Sequence, residues 1–216
     1  SSPTLTISAR YGQFLRNKTS PHAKPFAPPA LKEAPVKAIR LTLVCHALTQ
    51  AQKTGRLPTP EDGMLALEQP PVAIGPEVQV LTAPERRACE TAAWLSAQTQ
   101  ARVEPALADC DLGHWQGLSL KQLQVQDPQA LSEWLDNPAS TPHGGESFAQ
   151  LCQRVGAWLA AFDTPGEWLA VTHPMVIRAV LVQLLGCPLS THQRIDVLPL
   201  SRLELSFTGQ WRLRLG

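Results

Sequence analysis

The sequence predicts an α/β fold with a largely parallel central sheet, and three observations support this. Short apolar runs alternate along the chain with longer segments of helical periodicity. The segments 38–45 and 167–173 are typical of buried strands, because their central residues are apolar or β-branched. The segment 146–162 places its apolar residues on one helical face. Strands separated by helices pair in parallel, because each crossover connection returns the chain to the same edge of the sheet.

The first half of the domain supplies two of these units. The strand at 38–45 is followed by the stretch 50–76, which is rich enough in proline to curtail any helix there. A second strand, 77–84, leads directly into an alanine-rich helix at 85–98. The segment 102–109 is expected to be extended.

Three helices are predicted in the middle of the chain. Two short ones span 119–126 and 128–135, and Pro128 suits the first turn of the second. The third, 146–162, is the strongest helix of the sequence.

The last strand-helix unit and a hairpin complete the domain. The strand 167–173 is followed by a helix over 175–186, which Gly186 ends. Two segments of alternating polarity, 201–207 and 210–215, flank a Thr-Gly turn and predict a closing hairpin.

Residues 1–37 differ from the rest of the chain. They are proline-rich and basic, which predicts an arm or linker ahead of a domain at 38–216. A targeting segment is the less favoured interpretation, because the prolines break an amphipathic helix. The arm could mediate a dimer, and the sequence leaves the oligomeric state open.

The composition excludes several classes of protein. A net charge of +1 gives no field that would attract nucleic acid or an anionic membrane. No apolar run is long enough to predict a membrane span. The five cysteines form no C-x-x-C pair, so neither a disulfide framework nor a metal site is indicated, and a cytoplasmic location is favoured.

Chemistry-bearing residues follow three of the predicted strands. His46 ends the first strand, His173 ends the strand 167–173, and Arg86 and Arg87 open the helix after the second. Parallel strands would bring all of them to one rim, where open α/β sheets bind ligands. Two imidazoles, a guanidinium and a helix N-terminus together indicate phosphate chemistry.

Five segments, in this order, resemble the histidine phosphatase superfamily in its phosphoglycerate-mutase-like branch. They are CHALT at 45–49, TAPERRACETA at 82–92, DCDLGHWQG at 109–117, GGES at 144–147 and THPMVIR at 172–178. The resemblance covers residues 38 to about 207 and excludes the arm. It implies a three-layer α/β/α sandwich and covalent phosphoryl transfer without a metal or other cofactor.

The resemblance also implies roles for single residues. His46 is the expected nucleophile, and Asp109 the acid that protonates the leaving alcohol. Arg87 and His173 are expected to hold the oxygens of the transferring phosphoryl group.

Two more residues are expected to bind substrate beside Arg87. These are Thr49 and Gln52, whose side chains offer hydrogen bonds. The substrate itself is expected to be a small phosphomonoester.

Cys45 departs from the family pattern, which has an arginine before the nucleophile. The thiol is expected as a small strand residue, although a nearby Arg87 could lower its pKa. Arg86, Lys53 or Arg56 could supply the missing cation. Two functions therefore stay open at this point: a phosphatase with weakened activity, and a pseudophosphatase that binds a phosphorylated ligand or a partner.

Overall fold

The computed structural model describes residues 38–68, 74–97 and 99–215. The predicted arm, 1–37, lies outside the described residues. Within the described part, the strands are β1 (Ile39–Cys45), β2 (Gln79–Thr82), β3 (Arg102–Val103), β4 (Gly166–Thr172), β5 (Arg202–Phe207) and β6 (Trp211–Arg214). The helices are α1 (Gln50–Lys53), α2 (Arg86–Leu95), α3 (Leu120–Gln126), α4 (Pro128–Asp136), α5 (Phe148–Ala161) and α6 (Pro174–Leu185), with 3₁₀ turns at Pro105–Leu107, Gly113–Trp115 and Leu189–Arg194.

The strands form one sheet in the order β3-β2-β4-β1-β5-β6. The first four pair in parallel, and β5 and β6 pair antiparallel as the closing hairpin. Helices cover both faces of the sheet, which gives the predicted three-layer sandwich. The fold prediction is therefore confirmed.

The core lies between the central strands and their helices. Leu41 and Leu43 of β1 and Ala170 of β4 are fully buried. In α5 the buried positions are the predicted ones, namely Phe148, Leu151, Cys152, Val155 and Leu159. Burial of such side chains stabilises a fold by roughly 1.5–3 kcal/mol each, so this helix is fixed mainly by its apolar face.

Helix α6 begins and ends as its sequence predicts. His173 is the N-cap residue and Pro174 occupies the first turn, where its missing N–H costs nothing. Gly186 adopts a left-handed conformation with φ of 62°, which ends the helix. The N-terminus of α6 therefore stands directly at the end of β4.

One prediction of secondary structure is wrong. The segment 102–109 was expected to be extended, but β3 has only two residues and a 3₁₀ turn begins at Pro105. Pro105 lacks the N–H that a longer strand would need, and the Glu104 side chain accepts the N–H of Ala106 and starts the turn instead. The turn directs the chain back over the sheet edge towards Asp109.

Candidate active site

The register of the sheet brings the two predicted histidines together. Cys45 of β1 lies opposite Thr172 of β4, so His46 and His173 are the next residues on two adjacent parallel strands. Their ring centroids are 5.2 Å apart. This confirms that both strands end at the same edge of the sheet.

His46 is held as a neutral imidazole with one free nitrogen. Its ring is 2% exposed, and Nδ1 lies 2.7 Å from the carbonyl oxygen of Ala47. Because a carbonyl oxygen only accepts, Nδ1 carries the proton and Nε2 keeps its lone pair. Burial, followed by the neighbouring His173, lowers the pKa of His46 to about 4. The ring is therefore uncharged at neutral pH, and the lone pair of Nε2 is free to react.

Arg87 is buried beneath Asp109. Its side chain is 2% exposed; Nη2 donates to Asp109 Oδ2 at 2.7 Å and Nη1 donates to the carbonyl oxygen of Thr59 at 2.8 Å. Burial alone would raise the pKa of the Asp109 carboxyl, but the charges of His173 and Arg87 outweigh it and lower the pKa. Asp109 is therefore a carboxylate in this arrangement.

His173 lies between two carboxylates. Its Nε2 is 2.7 Å from Glu85 Oε2, and its Nδ1 is 3.4 Å from Asp109 Oδ2. Glu85 also accepts the backbone N–H of Asp109 at 2.9 Å, so one carboxylate positions both residues. Burial would raise the pKa of the Glu85 carboxyl, but the hydrogen bond with His173, the charge of that ring and hydrogen bonds from backbone N–H groups together outweigh burial and lower the pKa.

Glu85 is a functional residue that the sequence reasoning missed. It is the N-cap residue of α2, between two motif positions, and no periodicity marks it. One signal in the sequence could have identified it. Glu85 lies two residues before the predicted Arg87, at the start of a helix that was expected to face the site.

Thr49 and Gln52 are both at the site, and they bind each other. The Thr49 hydroxyl accepts the backbone N–H of Gln52, and Gln52 Oε1 accepts the backbone N–H of Thr49, which is a capping box for α1. Helix α1 is only four residues long, as the proline content of the following stretch predicted. Because Oε1 of Gln52 is used in the capping box, its side-chain amide nitrogen is the group that can donate a hydrogen bond to a substrate.

A cavity of about 200 Å³ opens in front of His46. It is lined by His46, Thr49, Gln52, Leu57, Pro58, Asp109, Cys110, Leu112, Trp134, Pro174, Met175 and Arg178. Arg87 and Glu85 border a second cleft, of about 290 Å³. Pro58, Asp109 and Cys110 line both.

Cys45 does not provide a reactive thiol. Its side chain is fully buried, and burial is the main factor that raises its pKa to about 12. Arg87 does act to lower this pKa, as expected, but desolvation is the larger effect, so the expected net fall of the pKa is wrong. The thiol is a protonated, small core residue.

The suggested substitute cations do not reach the cavity. Arg86 pairs with Glu90 at 2.6 Å on the surface, and Arg56 pairs with Asp62 at 2.6 Å. Lys53 is not among the residues that line the cavity. Arg178, which the sequence reasoning did not single out, is the arginine that lines it.

The described residues contain no group of three or more His, Cys, Asp or Glu side chains arranged to hold a metal ion. Over the same part of the chain, none of the helices has the length and apolar character needed to cross a membrane.

Known proteins resemble this chain in sequence and in fold. A glucosyl-3-phosphoglycerate phosphatase of Mycobacterium tuberculosis is 31% identical over 118 residues, which cover 49% of this chain and 53% of that protein. A bifunctional protein of the same organism is 35% identical over 143 residues, covering 63% of this chain and 39% of that protein. The chain thus spans about half or less of the length of these curated relatives.

Solved structures share the fold across most of the chain. An alpha-ribazole phosphatase from Shigella flexneri superposes with a TM-score of 0.69 at 22% identity, over 82% of this chain and 95% of that one. A mycobacterial glucosyl-3-phosphoglycerate phosphatase gives a TM-score of 0.65 at 23% identity, over 82% and 97%.

The family model for the histidine phosphatase superfamily (branch 1) matches residues 41–215. That range contains every residue of the site described above and all of the sheet except Ile39 and Arg40 at the start of β1. With the paired histidines at the ends of β1 and β4, this match establishes that the chain belongs to the histidine phosphatase superfamily.

Proposed function

We propose that this protein is a metal-independent phosphatase that hydrolyses a small phosphomonoester through a phosphohistidine on His46. One observation carries the proposal. Arg87 Nε and His173 Nδ1 are both buried and have no hydrogen-bond partner among the described residues. Arg87 Nε is a donor, and His173 Nδ1 is one when the ring, whose Nε2 faces the Glu85 carboxylate, is protonated on both nitrogens. An unsatisfied buried donor costs about 1–3 kcal/mol, which a phosphoryl oxygen bound there would offset.

The first step is attack by His46. Nε2 forms a bond to phosphorus while the bond from phosphorus to the leaving oxygen breaks. The ring becomes positively charged as it does so, and the Nδ1–H donated to the Ala47 carbonyl becomes a stronger, charge-assisted hydrogen bond. The same hydrogen bond holds the ring in the orientation needed for attack.

Arg87 and His173 would stabilise the transferring group. Charge spreads over its three equatorial oxygens in the transition state, so fixed donors beside it lower the barrier. Glu85 keeps His173 in place from the opposite side of the ring, through the 2.7 Å contact with Nε2.

Asp109 would change its protonation state as the substrate binds. In the structure it is ionised because Arg87 and His173 lie next to it. A phosphoryl dianion would compete for both cations and add negative charge near the carboxylate, which raises the pKa of Asp109. Asp109 would then take up a proton from solvent as the substrate binds and give it to the leaving alcohol. The resulting carboxylate would next accept a proton from the water that attacks phosphorus, while the bond from phosphorus to Nε2 breaks and His46 is regenerated.

The cavity favours a small substrate with an apolar or neutral organic part. Leu57, Leu112, Trp134 and Met175 form much of its wall, and its volume of about 200 Å³ limits what can enter. The relatives named above act, by their names, on glucosyl-3-phosphoglycerate and on alpha-ribazole phosphate, so both belong in a substrate panel.

The test is hydrolysis by the purified chain across such a panel, with 3-phosphoglycerate, phosphoserine and p-nitrophenyl phosphate included. We expect phosphate release that survives exhaustive chelation, and acid-labile, base-stable phosphate on the protein after mixing. The matched blank is His46→Ala, for which we expect a loss of at least about a thousandfold, because no covalent intermediate can form. Equal rates for the two proteins would contradict the mechanism.

A pseudophosphatase is the second candidate, and Cys45 favours it. An arginine at a phosphoryl transition state can contribute about 10³–10⁵ in rate in GTPases, and a protonated thiol contributes none of this. Saturable binding of phosphate by calorimetry, without turnover of any ester in the panel, would identify a binding module instead.

A further inference from the structure

The catalytic cavity has one permanently charged cation among its lining residues, and it is Arg178. Arg87 is not in the lining, its two Nη atoms are already bonded to Asp109 and Thr59, and only its Nε is left to bind a phosphoryl oxygen. Asp109, which does line the cavity, repels an incoming anion. An anion in front of His46 would therefore gain from a further cation on the cavity side, and Arg178 is the group that can supply it.

Arg178 is held in position by the elements around it. It lies five residues after His173 on α6, and long helical side chains point back towards the helix N-terminus, here the end that meets the site. Nε donates to the carbonyl oxygen of Ile195 at 2.8 Å, and Nη1 lies 3.5 Å from Met175 Sδ, a weak acceptor. Nη2 makes no hydrogen bond within the described residues, so this edge of the guanidinium is available to a ligand.

The charge of Arg178 is partly desolvated. The side chain is half-buried and forms no salt bridge within the described part of the chain. Burial lowers the pKa of Arg178, against the opposing charges of Asp196 and Asp109. Desolvating a charge without a direct partner is unfavourable, and a bound anion would reverse part of that cost.

Arg178 also lies near the position where the family resemblance expects an arginine. Two arginines act to lower the pKa of the Cys45 thiol, against the larger effect of burial, and Arg178 acts more strongly than Arg87. The small side chain of Cys45 is fully enclosed and contributes no charge. Cys45 at the end of β1 supplies no guanidinium, and Arg178 on α6 supplies one to the same cavity.

We propose that Arg178 binds an oxygen of the transferring phosphoryl group and so replaces the arginine that Cys45 lacks. The proposal rests on the proposed function and names a further residue of its substrate site. Arg178 also lines a neighbouring cavity of about 330 Å³ with Trp134, Phe148 and His192. The competing role for Arg178 is to bind a second anionic group of the substrate in this neighbouring cavity. The experiment distinguishes that role from binding of the transferring phosphoryl group.

The experiment compares Arg178→Gln, Arg178→Met and Arg178→Lys with the parent protein. Gln can still donate towards Ile195, Met keeps the apolar stem, and Lys keeps the charge. Arg194→Gln is the matched control, because Arg194 is an exposed arginine of the adjacent 3₁₀ turn outside the cavity. The thermal melting of each variant is measured first.

Two measurements follow on the folded variants. One is kcat/KM for p-nitrophenyl phosphate, whose leaving group has no second anion for Arg178 to bind. The other is the Kd of orthovanadate by calorimetry, which needs no turnover and therefore tests Arg178 even if the phosphatase proposal fails. We expect Gln and Met to weaken both by at least about tenfold, Lys by less, and the Arg194 control by less than about twofold.

The proposal is overturned if either neutral variant folds and matches the parent within about twofold in both measurements. The kcat/KM for 3-phosphoglycerate, which carries a second anionic group, is measured as well. A loss confined to this ester, with p-nitrophenyl phosphate and vanadate unaffected, would overturn the proposal in favour of the competing role. If both neutral variants fail to fold while Arg178→Lys binds vanadate as the parent does, Arg178 is a structural charge and the proposal is again overturned.

Discussion

The two ends of β1 carry similar side chains in very different surroundings. At its start, Arg40 and Glu167 pair at 3.2 Å, with 62% and 50% of their side chains exposed. They line a cleft of about 350 Å³, which is larger than the cavity in front of His46. At its end, Arg87 and Asp109 pair at 2.7 Å, with 2% and 15% exposed.

Burial, more than the number of charges or the size of the cleft, separates the two ends. Exposed charges are screened by water and salt, so their interactions are weak. The buried groups perturb one another, as the pKa of about 4 for His46 and the lowered pKa of Asp109 show. Strongly perturbed pKa values in a cleft are typical of catalytic sites. Each prediction below compares a change at one end of β1 with a matched change at the other.

The largest expected effect is that of Asp109→Asn on the hydrolysis of esters with poor leaving groups. Removing the acid should lower kcat for an alkyl phosphate by about 10²–10⁴-fold, the usual contribution of general acid catalysis. For p-nitrophenyl phosphate the loss should be much smaller, because p-nitrophenolate leaves without a proton. Glu167→Gln, at the start of β4, is the control and should leave both rates unchanged. Equal losses for the two esters would exclude Asp109 as the acid.

Arg87→Met should have the next largest effect, on stability. Removing one partner of a buried ion pair leaves Asp109 uncompensated and typically costs about 3–5 kcal/mol. Arg40→Met removes an exposed partner and should cost no more than about 1 kcal/mol. Urea denaturation of the three proteins measures both values. If the two variants lose similar free energies of unfolding, the Arg87–Asp109 pair is screened by solvent to the same degree as the exposed Arg40–Glu167 pair.

The central architecture could be predicted from the sequence because its signals are local. The apolar runs of β1 and β4 and the single apolar face of α5 identify these elements without reference to the rest of the chain. Because His46 and His173 directly follow two such strands, their meeting at one rim followed from parallel pairing alone.

The remainder of the site depends on packing between distant segments. Glu85 reaches His173 across 88 positions of sequence, and Arg178 enters the cavity through the orientation of α6. Neither contact has a periodic or spacing signal. The protonated state of Cys45 likewise follows from complete burial, which the residue type alone does not determine.

A pH-dependent effect of intermediate size is expected from His46. Its pKa is about 4 in the folded protein, below the ordinary value of 6.5, so the unfolded chain binds more protons between these values. The free energy of unfolding therefore falls as the pH decreases from above 6.5 towards 4. Between pH 7.5 and pH 5, His46 alone should account for a loss of about 2 kcal/mol.

The measurement is urea denaturation at both pH values for the parent, His46→Ala and Arg40→Ala. His143 and His192, whose pKa values burial also lowers, contribute in the same direction in all three proteins. Between pH 7.5 and pH 5, the free energy of unfolding should fall by about 2 kcal/mol less in His46→Ala than in the parent. Arg40→Ala should behave as the parent does. An unchanged loss in that variant would show that the ring is not desolvated as the structure indicates.

The smallest expected effect is the coupling between Arg40 and Glu167. These residues are register partners on the parallel pair β1 and β4, so their side chains are direct cross-strand neighbours. A double-mutant cycle with alanine at each position should give a coupling energy of about 0.2–1 kcal/mol, because both side chains remain largely hydrated. Raising the salt concentration to about 1 M shortens the screening length to about 3 Å and should remove most of it. A coupling well above 1 kcal/mol that persists in salt would mean that this end of the sheet is also shielded from water, and the contrast between the two ends of β1 would then need another cause than burial.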